Sequence, residues 1–565
     1  MPLSLPHDDA APAARRAAID AARDVWRFDP TQRGLPLAAK IESERYSPGY
    51  IARVVEVRAM LGATRAAARL DPRLRDERKA SAAVPDGAGT KPAQDGGVTR
   101  ASMVPVRAMD HYDALFNALP TPAYRAWGAD DGFFAWQRLA GCNAAHLRRQ
   151  DAPDPRFPVT DAQLRAAVGE GDSLDRARAE GRLYALDLSG LHGIPQGATQ
   201  GTPRYSSGAL GLFAQSLDGR FRPVAVQRDP VAGARIVTPA DGARWRHACL
   251  DLQVADSVWA GAVVHIGLHA LAGAFQVCTA RELAPNHPLR ALLWPHFEMT
   301  AAANETMKEA VIGVGGFFDE LLAPTREAAV DLAVRGLRER PLGDRAPWRD
   351  LALRGVDDAR SLPGYPYRDD GLPLAWALRR WVDGYLRLWY RDDADLARDP
   401  ELLAWHRSLG AADGPAFLGV SPIARVDDLV DLVTTLIFEV TVGHAAVNYT
   451  GYDHYAWPET YPSARWAPPL ADGAEPTDDD LLRALAPVGV ADRMLDLTLP
   501  QRQLRLNTLG AYPPGCFDDP RVPGLLATLR AELDAVEQAT LARDAARRWP
   551  YPYLAPSRVA QSIHV

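Results

Sequence analysis

Two short runs of this sequence place imidazole and amide side chains four residues apart. His265-Ile-Gly-Leu-His269 is the first run and His444-Ala-Ala-Val-Asn448 is the second. Residues four apart share one face of an α-helix, with Cβ atoms about 6 Å apart, so each pair can reach a single ion. With a buried terminal carboxylate at Val565, these donors suit a redox-active first-row metal better than a closed zinc site. Either pair alone is more often a packed pair than a metal site.

The elements that must position these donors are predicted to be long buried helices. The first run lies within residues 257–280, which carry no full charge and are numerous enough to span a bilayer. That stretch contains His265, His269 and Gln276, and no Lys/Arg cluster flanks it. Because ionisable residues are rare inside membranes, we expect a helix at the centre of a large protein and no stable membrane insertion.

Composition excludes several classes of protein. With 565 residues, 47% hydrophobic and 24% charged, the chain is an ordinary globular sequence with room for several domains. Its net charge of −7 gives no indication of nucleic-acid binding. The four cysteines show no CxxC spacing, which predicts buried thiols in a reducing compartment. The first residues lack a basic and apolar leader, so a cytoplasmic location is expected.

Three segments follow one another along the chain. Residues 1–80 are rich in Ala and Arg with helical periodicity, and they predict an N-terminal helical extension. Residues 81–105 are rich in Gly, Pro and Ala, which predicts a flexible linker. Residues 106–565 are predicted to form one large, mostly α domain.

One region of that domain has the pattern of β structure. Leu183-Tyr-Ala-Leu-Asp-Leu188 and Phe221-Arg-Pro-Val-Ala-Val-Gln227 lie on either side of the turn signal Asp218-Gly219. Such runs beside an Asp-Gly turn predict strands. A minor β region is therefore expected near residues 180–240, with helices almost to the end from about residue 245.

Longer strings over residues 109–565 carry a resemblance to a known family. They are Asp131-Gly-Phe-Phe-Ala-Trp-Gln-Arg-Leu-Ala-Gly-Cys-Asn143, Leu210-Gly-Leu-Phe213, Pro223-Val-Ala-Val-Gln227, His287-Pro-Leu-Arg-Ala-Leu-Leu-Trp-Pro-His296, Asn304, His444–Asn448 and Pro552-Tyr-Leu-Ala-Pro-Ser557. Each string is weak alone, but together and in order they resemble the lipoxygenases, non-haem metal dioxygenases of polyunsaturated fatty acids. The N-terminal β-barrel of plant and animal members has no counterpart in this sequence, as in many bacterial relatives. The first 105 residues, in turn, match no segment that we recognise in the family.

The resemblance implies a fold, a metal and its ligands. The fold is a large lipoxygenase-like helical catalytic domain with a minor β region and two central metal-bearing helices. One non-haem iron per chain is expected, with manganese as the alternative, and no organic cofactor. His287 and His296 are expected to be structural, and the His564 side chain to point away from the metal. The implied ligands are His265, His269, His444, Asn448 and the carboxylate of Val565.

The sequence departs from the family pattern at four places. The first two histidines are four residues apart where the family usually has five, so a plain α-helix is expected in place of a π-type bulge. Gly261 stands where the family has Gln or Glu, and Gly451 where it has Gln. The loss of both amides suggests a remodelled site, because such groups orient metal ligands. Met307 stands where the family has Ala or Gly, and it should narrow an oxygen pocket.

The resemblance also implies what lines the cavity and what happens there. Val311 and Phe318 are expected on its wall, with Met307, Gly261 and Gly451. The implied reaction removes a hydrogen atom from the bis-allylic carbon of a cis,cis-1,4-pentadiene, and dioxygen adds to give a hydroperoxide. Two alternatives stay open. One is a lipoxygenase-fold enzyme acting as a hydroperoxide isomerase or as an oxidase of a non-lipid metabolite. The other is a metal-free scaffold.

Overall fold

A computed structural model describes residues 2–75, 103–471 and 473–565 of the chain. Two long helices run through its centre, Ala243–Glu282 and Val426–Tyr455. By length and composition both could cross a membrane, but 72% and 89% of their apolar stretches are buried inside the protein. The first helix carries His265 and His269, and the second carries His444. The predicted, mostly helical fold with two central histidine-bearing helices is confirmed.

Each central helix widens just before a predicted ligand. A π-helical turn spans Ala260–His265, and a second spans Glu439–Gly443. After the first, the Ile266 N–H donates to the carbonyl of Gly261, five residues back. The expected plain α-helix holds between His265 and His269, since Ile266–Glu282 is α-helical. It is wrong for the turn before, because a π-type turn is present and ends at His265. The spacing of the two histidines describes only the turn between them, and no residue type signals the π turn that precedes it.

The described part of the N-terminal region packs against the main body. Its two longer helices are Pro12–Val25 and Pro48–Ala68. Arg15 is 4% exposed and bridges Asp9 and Glu401, with nitrogen–oxygen distances of 2.7 and 2.6 Å. Most of the predicted linker, residues 81–102, lies outside the described residues, so the division into three segments stays a prediction.

The minor β region is a five-stranded antiparallel sheet of order β1-β2-β5-β6-β7. The runs predicted as strands form β2 (Leu183–Asp187) and β6 (Phe221–Gln227). The turn at Asp218-Gly219 does not join these two, because β5 (Leu210–Gln215) lies between them and pairs with both. Every residue of β5 is buried, so its sequence lacks the polar alternation that marks a strand.

The other strands complete the five-stranded sheet or form a separate pair. The two edges of the five-stranded sheet are β1 (Arg148–Arg149) and β7 (Ile236–Val237), whereas β3 (Ala198–Thr199) and β4 (Thr202–Pro203) make a two-stranded sheet. The remaining α-helices of the described residues are Asp131–Ala140, Asp161–Val168, Leu174–Ala179, Pro288–Leu293, Thr300–Ala310, Phe317–Glu320, Arg326–Glu339, Pro347–Leu353, Pro366–Leu386, Asp393–Ala397, Pro400–Gly410, Asp478–Ala484, Val488–Gln503 and Val522–Ala546.

Candidate metal centre and its cavity

Three imidazoles converge where the two central helices meet. His265, His269 and His444 each offer a ring nitrogen, and these three atoms lie within 4.8 Å of one another. The centroids of the three rings are 5.1 to 5.2 Å apart. The Nε2 atoms of His265 and His444 are 3.2 Å apart. The i, i+4 spacing on one helix and the crossing of the other thus produce three nitrogens facing one point.

Burial keeps these rings uncharged. It lowers the pKa of His269 to about 4, and it lowers the pKa values of His265 and His444 well below the ordinary value for histidine. The neighbouring histidine rings act in the same direction on His265 and His444. At neutral pH all three side chains are neutral imidazoles, the form that ligates a metal.

Asn304 fixes the orientation of His269. Its Oδ1 lies 2.8 Å from His269 Nδ1, and its Nδ2 donates to the His269 carbonyl at 3.1 Å. An amide oxygen can only accept, so His269 Nδ1 carries the proton and Nε2 is left free to bind a metal. Asn304 is one of the residues that carry the family resemblance, but nothing in the local sequence indicates its contact with His269.

Asn448 lies one helical turn after His444, and its amide is unsatisfied. Both Oδ1 and Nδ2 are buried, and neither hydrogen-bonds within the described chain. A buried amide without partners costs free energy unless something else satisfies it. A ligand that accepts the oxygen lone pair is therefore expected beside Asn448.

The C-terminal tail reaches the same place and is held by hydrogen bonds. His296 Nδ1 lies 2.9 Å from the carbonyl oxygen of Gln561, and Thr300 Oγ1 donates to that of Ile563 at 2.9 Å. The main chain of Val565 lies beside His269 and acts to raise the pKa of that ring, against the larger effect of burial. The tail therefore brings Val565 to the edge of the imidazole cluster.

The other buried histidines have structural partners. His287 Nε2 lies 3.0 Å from Asp399 Oδ2, and the Tyr390 hydroxyl donates to the same oxygen at 2.7 Å. His564 is fully buried, and its ring packs edge-on against Tyr50 with centroids 6.0 Å apart. The Nδ1 atom of His564 is 3.4 Å from the Ser562 hydroxyl.

A cavity of about 1050 Å³ opens beside the cluster. Most of its lining is apolar, and His265, His269 and Val565 lie on its wall. Of the predicted pocket residues, four also line it: Gly261, Met307, Val311 and Phe318. Gly451 is not among the described residues that line it. The Gln501 side chain lies against Gly451 and lines the cavity in its place.

The wall that sequence reasoning missed is helix Pro48–Ala68. Tyr50, Val57 and Leu61 are buried on its inner side, whereas Ile51 and Val55, 54% and 61% exposed, lie at the mouth. The spacing of Tyr50, Val57 and Leu61 signals a buried helix face. Nothing in that spacing shows that the face meets a cavity more than 200 residues away in sequence.

These residues fit a redox-active first-row metal. Three neutral imidazoles face one point, an unsatisfied amide oxygen lies one helical turn after His444, and Val565 lies beside the cluster. Nitrogen and oxygen donors of this kind suit iron and manganese, whereas the thiolates typical of closed zinc sites are missing from the described cluster.

Comparison with known proteins agrees with this geometry. The family model for lipoxygenases matches residues 125–475. The chain belongs to the lipoxygenase family. The linoleate 9/13-lipoxygenase of Pseudomonas aeruginosa is 33% identical over 483 residues, which are 81% of this chain and 70% of that protein. The human polyunsaturated fatty acid lipoxygenase ALOX15B is 30% identical over 81% of this chain and 69% of its own length.

Solved lipoxygenase structures show the same fold. A coral 8R-lipoxygenase matches with a TM-score of 0.87 at 22% identity, covering 100% of this chain and 83% of its own. The manganese lipoxygenase of Gaeumannomyces graminis matches with a TM-score of 0.77 at 19% identity, covering 100% of both chains. The structures confirm the predicted fold, and the family model and the two relatives confirm the predicted family membership.

The four cysteines are all free. Cys142 and Cys278 are buried, and burial raises the pKa of each thiol to about 12. Cys249 and Cys516 are half-buried, and burial also raises their pKa values, that of Cys516 to about 11. Cys278 lies on the first central helix, where it packs within the core.

Proposed function

We propose that this lipoxygenase inserts dioxygen into polyunsaturated fatty acids that carry a cis,cis-1,4-pentadiene, giving hydroperoxides. The observation that carries the proposal is that a cluster of metal-binding side chains lies next to a lipid-sized cavity. Three neutral imidazoles converge beside a large, mostly apolar cavity, and the unsatisfied Asn448 amide lies one helical turn after His444. The relatives named above are linoleate and polyunsaturated fatty acid lipoxygenases, which supports the same substrate class.

The chain's own residues divide the work of the reaction. His265, His269, His444, Asn448 and the Val565 carboxylate are the proposed metal ligands. A bound redox-active metal supplies the one-electron oxidation that removes a hydrogen atom from the bis-allylic carbon, where the radical left behind is delocalised over five carbons. Asn304 holds the His269 ring so that Nε2 would be free to bind a metal.

The cavity wall orients the lipid and keeps water away from the radical. Its apolar lining binds the hydrocarbon chain, and Met307, Val311 and Phe318 shape the space beside the metal centre. Met307 is 4% exposed and takes up volume that dioxygen needs. It therefore restricts which carbon of the pentadienyl radical dioxygen reaches.

Iron is the proposed metal, with manganese as the alternative. The donor set of neutral nitrogens, an amide oxygen and one carboxylate suits both ions. A histidine spacing of four and a terminal valine resemble manganese-using fungal members of the family, whereas prevalence in the family favours iron. Elemental analysis of the purified protein separates the two. A cytoplasmic location and the lack of a nucleic-acid partner stay predictions.

The experiment that tests the function combines oxygen uptake with product analysis. Linoleate and a mixture of other polyunsaturated fatty acids are incubated with the metal-loaded protein. Oxygen uptake and conjugated-diene hydroperoxides in equal amounts are the expected result. The reaction class is wrong if a protein with a full complement of iron or manganese consumes no oxygen with any of these substrates.

A second candidate is a hydroperoxide isomerase built on the same centre. Met307, in a position where the family has a small residue, favours the isomerase because its side chain restricts dioxygen. Gly261, where the family has Gln or Glu, also favours the isomerase. Incubation with a fatty-acid hydroperoxide under anaerobic conditions tests it. Hydroperoxide consumption without oxygen uptake from linoleate favours the isomerase over the dioxygenase. The third alternative, a metal-free scaffold, would be supported only if elemental analysis found no metal in the purified protein.

A further inference from the structure

Two amides lie near the metal centre. That of Asn448 is buried, and neither of its polar atoms has a hydrogen-bond partner among the described residues. Gln501 is 6% exposed and lines the same cavity as His265 and His269. A buried amide without partners next to a site of chemistry calls for a nearby group that can satisfy it.

The lack of a side chain at Gly451 leaves room for the Gln501 amide. A Cβ atom at position 451 would lie 2.3 Å from Gln501 Oε1, closer than real Cβ atoms come, and 3.3 Å from its Cδ, which is a tight contact. The backbone of Gly451 does not have the positive φ that favours glycine. A helical glycine costs about 1 kcal/mol relative to alanine, so the close approach of the Gln501 amide is what this position accommodates.

The position of Gly451 ties Gln501 to the ligand Asn448. The two residues are three apart along the second central helix, and residues three apart are neighbours on one helix face. Gln501 comes from another helix, Val488–Gln503, which packs against Gly451–Tyr455. Its Oε1 is the amide atom nearer Gly451, and its Nε2 is 4.0 Å from the Cβ site.

We propose that Gln501 is a positioning residue that holds the Asn448 amide in its ligating orientation and links it to the lipid cavity. With Asn448 Oδ1 bound to a metal, its Nδ2–H, which has no partner among the described residues, would be left to donate, and Gln501 Oε1, which lies beside Gly451 on that helix, would accept it. The Nε2–H of Gln501 then faces the lipid. This inference rests on the proposed function, because it needs a metal at Asn448.

The test removes the amide in one variant and displaces it in another. In Gln501→Leu the volume stays similar and the amide is gone. In Gly451→Ala the amide stays, but the new methyl group pushes it away from the helix. Gln503→Leu makes the same change on the same helix at a residue outside the cavity wall, and it is the matched control.

The readouts are metal retention against a chelator and the electron paramagnetic resonance spectrum of the loaded protein, each with and without linoleate. Both test variants are expected to lose metal roughly 10- to 100-fold faster, the range for groups that support metal ligands. Their spectra should shift, and their response to linoleate should weaken. Gln503→Leu should match the wild type in every readout.

A swap variant, Gly451→Gln with Gln501→Gly, returns an amide to the same space from the other helix. Relative to Gln501→Gly alone, it should recover metal retention. A positioning role is overturned if folded Gln501→Leu and Gly451→Ala keep the wild-type spectrum and metal retention. A wild-type protein that binds no metal would instead overturn the proposed function, so the two failures are distinguishable.

Discussion

The two walls of the cavity differ in what surrounds them. The inner wall includes the two central helices, the helices Thr300–Ala310 and Val488–Gln503, and the C-terminal tail, and the protein covers most of it. The outer wall is helix Pro48–Ala68, which has Tyr50 and Leu61 buried on one side and Ile51 and Val55 open to solvent. Metal donors are found only on the inner wall among the described residues. The chemistry therefore depends on the inner wall, whereas the shape and entrance of the cavity depend on the outer wall.

The largest effect is expected from removing a donor of the inner wall. His444→Ala takes one of three converging nitrogens from a site with no spare donor in the described cluster. Metal content should fall from close to one ion per chain to below roughly a tenth, measured by elemental analysis. His406→Ala, at a histidine bound to the Ser421 carbonyl near the surface, is the control and should keep the metal. Full metal in His444→Ala would contradict the ligand assignment.

The two termini should respond differently to added residues. A C-terminal extension turns the Val565 carboxylate into a neutral amide and must displace a tail whose Ser562, Ile563 and His564 are buried. Metal content and oxygenation should fall at least roughly tenfold. An N-terminal tag begins next to the exposed Pro2, where extension is tolerated. Equal metal content and activity in the two tagged proteins would show that the chain end is not a ligand.

Much of the inner wall was predictable, because its donors follow helix periodicity. The pairs His265/His269 and His444/Asn448 carry their geometry in their spacing, and the family strings identify the rest. The π turns were not predictable, since they depend on how each helix packs. Helix Pro48–Ala68 and Gln501 were missed for a related reason, because their roles come from tertiary contacts that no local pattern records.

Met307→Ala tests how the inner wall directs oxygen. The side chain is 4% exposed and lies on the cavity wall, so its removal opens space beside the pentadiene. The ratio of positional or stereoisomeric hydroperoxides should change at least several-fold, measured by chiral chromatography. The mutant should also lose roughly 2–5 kcal/mol of stability. Met307→Leu conserves volume and should keep the wild-type ratio. A lower melting temperature with an unchanged ratio would mean that Met307 only packs the core.

The smallest effect is expected from reshaping the outer wall. Val57 is 4% exposed and faces the cavity, so Val57→Phe fills part of it at a cost of about 1–3 kcal/mol. Metal content should stay at the wild-type level, while kcat/KM for long-chain substrates falls a few-fold more than for shorter ones. Ala59→Phe, on the exposed side of the same helix, is the control. A loss of metal in Val57→Phe would break the distinction between the two walls.

The burial of the thiols affects how easily the hydroperoxide product can oxidise the enzyme. Hydroperoxides oxidise thiolates far faster than protonated thiols. Burial raises the pKa of Cys142 and Cys278 to about 12, so almost none of either thiol is ionised at neutral pH. Cys278 shares a helix with the metal donors and yet stays chemically silent. Among the sulfur atoms of the described chain, the thioethers of Met307 and Met494, on the cavity wall, are the ones that a newly formed hydroperoxide meets first.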